Sequence, residues 1–510
     1  RAADKGIAIE CHVPTHSLIN YAQWRIVSPE SYLMELDEMD GYIAQVWTGT
    51  ARSHNVYRGR AKERTFETAF FEYGQALAMV RPTGRKVWFL ADPIEDNPNR
   101  SWEDYRKNYE CTIVASLMWP EVHRFEVMPW PHRIFKGTYP KVDLDTQSTE
   151  REGIPADYAT EILTVINALN DMDQTDVCYD TGTRSIGVIV SDTLMFQRAE
   201  PDPSDPHLSS FYGLALPLLK AGMPAEVVQL ETIGEPGCLD ACNVLVLTYE
   251  GQKPLKRAYH EVLAWVRTGG YLLYVGDGSD PYHGVREWWN EEGTTDAKAC
   301  DDLFKRLGID DPTPEPVPVD QGYVYILKER PRELARATDG ADKVVDAVAS
   351  MLACRGETLE PQNNLVLRRG PYVIAAVMDE SISDAPLELK GTYVDLFDAT
   401  LPVRTGLTLR PNERALLFDL DWARQNRQTA RVLAASTRIR DEQCDGTRFT
   451  FTTRGPKATT ARVRILLPSA PESIAFTPEL PFDHAWDDAS RTLLLTFQNT
   501  AQDLRITVDF

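Results

Sequence analysis

Through about residue 136 the chain alternates between short apolar runs and helical stretches, and this alternation constrains the fold more than any other feature. The strand-like runs are Gly6–Val13, Asp40–Trp47, Lys86–Ala91 and His123–Met128. Between the second and third, Phe66, Ala69, Phe70, Tyr73, Leu77 and Val80 recur close to the 3.6-residue period of one helix face. Arg81-Pro82-Thr83-Gly84 ends that helix. Another opens at Ser101-Trp102-Glu103-Asp104, a capping-box spacing, and runs through Tyr109 and Ile113 to about Leu117. Strands that alternate with helices pair in parallel through crossovers. Four of them make half of an eight-stranded (β/α)8 barrel, and half a barrel leaves two long unpaired edges. Residues 1–150 are therefore expected to be the C-terminal half of such a barrel, with the other half upstream.

Residues 151–180 read as helical and connective. Ser185–Val190 then begins a second α/β pattern. A helix over about Leu208–Ala221 follows, then strands Glu226–Leu230 and Asn243–Thr248, and a helix from Pro254 with Leu255, Ala258, Tyr259, Val262 and Val266 on one face. Gly269-Gly270 stops that helix, and Tyr271–Val275 closes the unit. This is a doubly wound, flavodoxin-like pattern, assigned to residues 151–362. From about Asn363, short β runs (Asn364–Leu367, Tyr372–Val377, Ala415–Phe418) alternate with turn residues, which predicts an antiparallel β domain over 363–425. A C-terminal β-sandwich module over 426–510 includes Arg462–Leu467 and Thr492–Gln498. The expected class is multidomain, α/β plus β.

The formal net charge of -22 repels phosphate backbones, which argues against a nucleic-acid partner and for a neutral substrate. No apolar run is long enough to span a bilayer. Of the eight cysteines, only Cys238 and Cys242 lie close together, with no His at zinc-site spacing. No metal and no organic cofactor are expected. Apolar settings such as Ala241–Val246 favour buried, reduced thiols. With no secretory signal before the first strand, a cytoplasmic setting is slightly favoured.

This order of parts resembles the family 42 β-galactosidases, whose catalytic barrel is followed by a flavodoxin-like domain used for oligomer contacts and a small β domain. The resemblance places Asp40–Trp47 as the sixth barrel strand, Arg85–Asp92 as the seventh and Arg124–Trp130 as the eighth. In that family the nucleophile is a Glu ending strand seven; here that place holds Asp92, with Glu95 and Asp96 just beyond. The family's acid/base residue follows strand four, upstream of this chain. An oligosaccharide or glycoside substrate and a homo-oligomer built through the flavodoxin-like domain are what the resemblance implies.

Barrel sites gather at the C-terminal ends of the strands, and glycoside cleavage needs one ionised and one protonated carboxyl group there. Asp92 ends an apolar strand at that end, as nucleophile or stabilising carboxylate, or as a loop-starting cap; Glu95 is the alternative. Glu126 sits mid-strand among apolar residues, either paired with an arginine inside the barrel or held as a raised-pKa acid. Sugars stack their CH faces on aromatic rings, for which Trp47 and Trp130 are placed, unless they are plain core. His12, His16 and Asn20 after the first strand, with His54 and His132, are candidates to bind hydroxyls, though each alone is more often structural. Val275-Gly276-Asp277-Gly278 holds no Cys where a class I amidotransferase would carry its nucleophile. The predicted function is a glycosidase; the alternative is a carbohydrate-binding protein of the same architecture without catalysis.

Overall fold

The computed structural model describes residues 9–93, 99–128, 130–144, 149–198, 205–290, 298–310, 313–425 and 430–510. Its N-terminal sheet has four parallel strands in chain order: β1 (His12–His16), β2 (Gly41–Gln45), β3 (Lys86–Ala91) and β4 (Phe125–Val127). β3 has the predicted bounds, and β1 begins later than the run Gly6–Val13. Two helices, α1 (Thr65–Val80) and α2 (Trp102–Leu117), form the crossovers to β3 and β4. Ser101 caps α2, its Oγ accepting from the Asp104 N–H at 3.2 Å, and Gly84, at φ 65°, takes the left-handed turn that closes the first helix.

α1 departs from the one-sided helix that its periodicity predicts, because all of its residues are buried. One side packs on the sheet, with Tyr73 and Phe89 rings 4.5 Å apart. The other meets the next sheet: Phe71 lies 5.5 Å from Phe211, and Gln75 Nε2 donates to Gln229 Oε1 at 3.0 Å. Its polar residues are therefore enclosed.

A connecting helix, α3 (Ala156–Leu169), leads to the doubly wound sheet. Its strands are β5 (Ile186–Val190), β6 (Glu226–Gln229), β7 (Val244–Leu247), β8 (Tyr271–Val275), β9 (Val317–Val319) and β10 (Gly322–Leu327), in the order β6-β5-β7-β8-β10-β9. All pair in parallel except the edge strand β9. The unit thus does not close at Tyr271–Val275: β10 adds a fifth parallel strand. α4 (Ser209–Lys220) and α5 (Lys256–Arg267) match the predicted helices to within two residues at either end. Residues 151–180 are not purely connective either, since Val177–Asp180 pairs with Asn364–Arg369 as the edge of a six-stranded antiparallel sheet. Two four-stranded antiparallel sheets over Arg431–Asp509 enclose a separate core that includes Phe449, Phe451, Ile465 and Ile506. The chain is thus a multidomain α/β plus β protein. No helix of the described residues is long and apolar enough to cross a membrane. The eight cysteines are unpaired; Cys11, Cys178 and Cys444 are exposed, contrary to the buried setting expected of them.

Three of these units meet at one ammonium group. Lys220, at the end of α4, is fully buried and pairs with Glu67 of α1 and, at 2.8 Å, with Asp379 in the turn after Tyr372–Val377. Lys62 also reaches Asp379 at 2.8 Å, and Arg64 reaches Glu380 at 2.8 Å. Burial alone would raise the Asp379 carboxyl, but Lys220 and Lys62 outweigh it and hold it well below the usual carboxylate range. Such a depressed group stabilises the fold above its unfolded pKa and loses that contribution as pH falls. Replacing one member of a buried pair leaves its partners charged without compensation. Lys220→Met is expected to cost about 3–5 kcal/mol in urea unfolding at pH 7. The loss should shrink below pH 4, as the carboxylates protonate; an equal loss at pH 3 and pH 7 would sink this account.

Candidate functional site

Register and pleat decide which side chains share a face. His16 pairs with Gln45 and Leu90 with Glu126, and continuing the β2–β3 register sets Gln45 beside Leu90. His16, Gln45, Leu90 and Glu126 therefore form one row across all four strands. Two residues further on, an isolated parallel bridge joins Trp47 to Asp92, the next row on the same face. The opposite face, with Tyr42, Ala44, Phe89 and Ala91 buried, lies under α1 and α2. His12, Gln45, Trp47, Trp88 and Glu126 are only half-buried, so this face is partly open.

The face is built tightly on one side. A Cβ at Gly41 would lie 2.3 Å from His12 Nδ1, so only glycine allows that ring to lie against β2. The His12 ring also meets Trp88 edge-on at 5.9 Å, and its Nε2 lies 3.0 Å from Glu10. The His16 ring stands 5.2 Å from Trp47 and 5.5 Å from Tyr21, with Nδ1 2.8 Å from the Gln45 carbonyl. Burial keeps its pKa below the ordinary histidine value, favouring the neutral ring. A neutral imidazole held at one nitrogen offers the other to a ligand. The Trp47 indole N–H is buried without a partner among the described residues.

Glu126 makes no ion pair with an arginine among the described residues, contrary to one of its two expected roles. Partial burial raises its carboxyl pKa above the ordinary value, which is what a general acid requires. Asp92 lies in a different setting. It is 2% exposed, and Thr48 Oγ1 donates to its carbonyl at 2.8 Å. The phenols of Tyr73, Tyr109 and Tyr139 are raised first by burial, and the Asp92 charge adds to each. Tyr73 and Tyr109 stand on α1 and α2, within reach of the Asp92 charge, and the Asp92 side chain is closed off from solvent rather than open to it. Glu95 falls outside the described residues.

The remaining candidates do not join this face. Asn20 is buried, its Nδ2 donating to the Thr50 carbonyl at 3.4 Å and to Glu72 Oε1 at 3.5 Å. It is a structural partner rather than a hydroxyl binder. His54 is exposed on a hairpin whose backbone carbonyl meets His207 Nδ1 at 3.1 Å. Trp130 is 50% exposed, and His132 lies exposed on the short helix that follows it. Trp88 and Gln45 were missed; strict alternation along β2 and β3, counted from Trp47 and Asp92, would have found both. Among the described residues no cluster of three or more His, Cys, Asp or Glu side chains could hold a metal ion.

No family model matches the sequence, and no curated protein matches it. Among solved structures, the chain is similar to a catalytic mutant of Gan42B, a GH42 beta-galactosidase from G. stearothermophilus: 12% identity, 77% of this chain and 61% of that one, TM-score 0.45. It is similar to the beta-galactosidase of Rahnella sp. R3 at 10% identity, over 82% of this chain and 64% of that one, TM-score 0.45. A rhamnosidase from Novosphingobium sp. PP1Y is similar at 11% identity, over 92% and 47% of the two chains, TM-score 0.35. The chain thus spans about three fifths of the length of the beta-galactosidases.

Asn20's partner offers a direct test of the electrostatics behind the sheet. Burial pushes the Glu72 carboxyl up to about 8, against the one hydrogen bond from Asn20. A carboxyl raised on folding stabilises fully below its unfolded pKa, and that contribution is lost as pH rises through the folded value. Glu72→Gln should therefore be more stable than the parent at pH 8.5, by on the order of 3 kcal/mol, and converge with it near pH 4.5. Urea unfolding at the two pH values reads the difference; parallel curves would show that Glu72 is ionised in the fold.

Proposed function

We propose that this chain carries part of a glycoside hydrolase site, with β1–β4 as the C-terminal half of a (β/α)8 barrel and their open face turned toward the sugar. The observation that carries the reading is the row His16–Gln45–Leu90–Glu126, flanked by Trp47 and Trp88, at the end of a parallel sheet where barrel enzymes place their chemistry. Glu126 acts as the proton donor to the leaving oxygen, His16 and Gln45 bind hydroxyls, and the indoles of Trp47 and Trp88 cover the apolar sugar face. Asp92 supplies the negative charge of strand seven, as nucleophile or as stabilising carboxylate, with Glu95 as the alternative. The doubly wound, flavodoxin-like unit serves as a scaffold for homo-oligomer contacts. A β-galactoside is the natural substrate, as in the beta-galactosidases to which the chain is similar.

One observation favours a second reading. The Asp92 carboxylate is enclosed, and an enclosed nucleophile cannot reach an anomeric carbon without a change of side-chain position. The same face would then bind sugar without cleaving it. A panel of nitrophenyl glycosides, followed by isothermal titration with any sugar recognised, separates the two. The hydrolase reading expects Glu126→Gln to lower kcat by about 10²–10⁴-fold and to flatten the alkaline limb of the pH profile. Sugar binding without turnover selects the second reading, and unaltered turnover in Glu126→Gln defeats the first.

A further inference from the structure

Far from the β1–β4 face, a cleft of about 680 Å³ opens between one side of α3 and the first strands of the C-terminal sheets. Its size falls in the range that encloses small organic ligands, well above what a bare inorganic ion fills. Asn167, Asn170 and Asp171 line it from the helical side, and Arg438, Arg454 and Thr437 from the β side.

The two arginines are opposed directly. Arg438 and Arg454 are register partners on the antiparallel strands Arg438–Cys444 and Arg448–Arg454. Like charges facing one another across a strand pair destabilise it. Both side chains are exposed, and neither has an ion-pair partner among the described residues. Elsewhere in the chain Arg404, Arg448 and Arg106 are matched with carboxylates. A second observation is independent of the charges. Thr437 is 2% exposed, and its buried hydroxyl has no hydrogen-bond partner among the described residues. Such an orphan donor costs stability unless something completes it.

Two carboxyl groups also line the cleft, and both are engaged elsewhere. Asp171 accepts from Tyr372 Oη at 2.9 Å and from Gln174 Nε2 at 3.1 Å, and Glu442 accepts from the Val432 N–H at 2.9 Å. Burial raises both carboxyls above their ordinary values. Among the described residues, neither carboxyl makes an ion pair with Arg438 or Arg454.

We propose that this cleft binds a hydroxylated organic anion of monosaccharide size, its carboxylate bridging Arg438 and Arg454 and a hydroxyl meeting Thr437. Guanidinium groups match a carboxylate with paired N–H donors, and the ligand's charge removes the repulsion between them. A free sugar acid and the terminal residue of an acidic oligosaccharide present the same chemistry. The proposal stands independently of the hydrolase reading, since it uses none of its residues.

Isothermal titration and thermal unfolding with D-galacturonate, D-galactose and sodium sulfate at matched ionic strength test it. Galacturonate is expected to bind and to raise the Tm, with galactose and sulfate at least about tenfold weaker. Tighter binding of digalacturonate would assign the terminal-residue source, and equal or weaker binding the free acid. The double variant Arg438→Ala/Arg454→Ala should lose galacturonate binding while the free protein's Tm at low salt rises, because repulsion has been relieved. Equal effects of galactose or sulfate, no binding of galacturonate, binding that survives in the variant, or a fall in the variant's Tm without ligand would each overturn the proposal.

Discussion

The arrangement of the N-terminal half depends on one desolvated charge. Lys220 brings an ammonium to full burial, where only adjacent carboxylates make it tolerable. Glu67 and Asp379 supply them from α1 and from the antiparallel sheet, so three units are held at a shared point. With α1 pinned there, the sheet β1–β4 has one face covered and the doubly wound sheet packed behind it. Among the described residues of this sheet, the partly open face is the one that carries His16, Trp47, Trp88 and Glu126. The position of that face is thus a consequence of an ion cluster on the far side of α1.

Pleat geometry then sorts the carboxyl groups into different chemical roles. Glu126 stands on the open face, where partial burial raises its carboxyl while leaving it accessible. Asp92 is aligned with Trp47 by its backbone, yet its side chain is closed off from solvent. Glu72, one layer deeper, has only an amide for company and is held neutral over much of the pH range. Three acids within a short stretch of fold thus meet water to different extents, and burial is what raises a carboxyl.

How much of this was legible depends on the range of the signal. β3 was readable to the residue because a continuous apolar run between Arg85 and Asp92 has no other regular solution, and the Ser101 cap was readable from its spacing alone. α1 was readable as a helix but not as a fully enclosed one, because nothing in its 3.6-residue period reveals a second sheet on its polar side. Val177–Asp180 is short and edged by exposed side chains, so its pairing with Asn364–Arg369 could not be seen locally. Among the site candidates, His16, Trp47 and Glu126 fall on one face as alternation requires, whereas Asn20 and His54 were placed only by their distance from strand ends. That distance says nothing about direction.

The sequence by itself determined the alternation of strand and helix, the helix ends, the doubly wound pattern and the shift to antiparallel β structure, because those follow from periodicities and turn chemistry within a dozen residues. Tertiary structure alone decided that Glu67, Lys220 and Asp379 meet, that Arg438 and Arg454 lie side by side on one wall of a cleft, and that Asp92 is enclosed while Glu126 is not. Those outcomes depend on which distant segments exclude water from a given side chain. Desolvation is a property of the assembled surroundings and is written in no single stretch of chain.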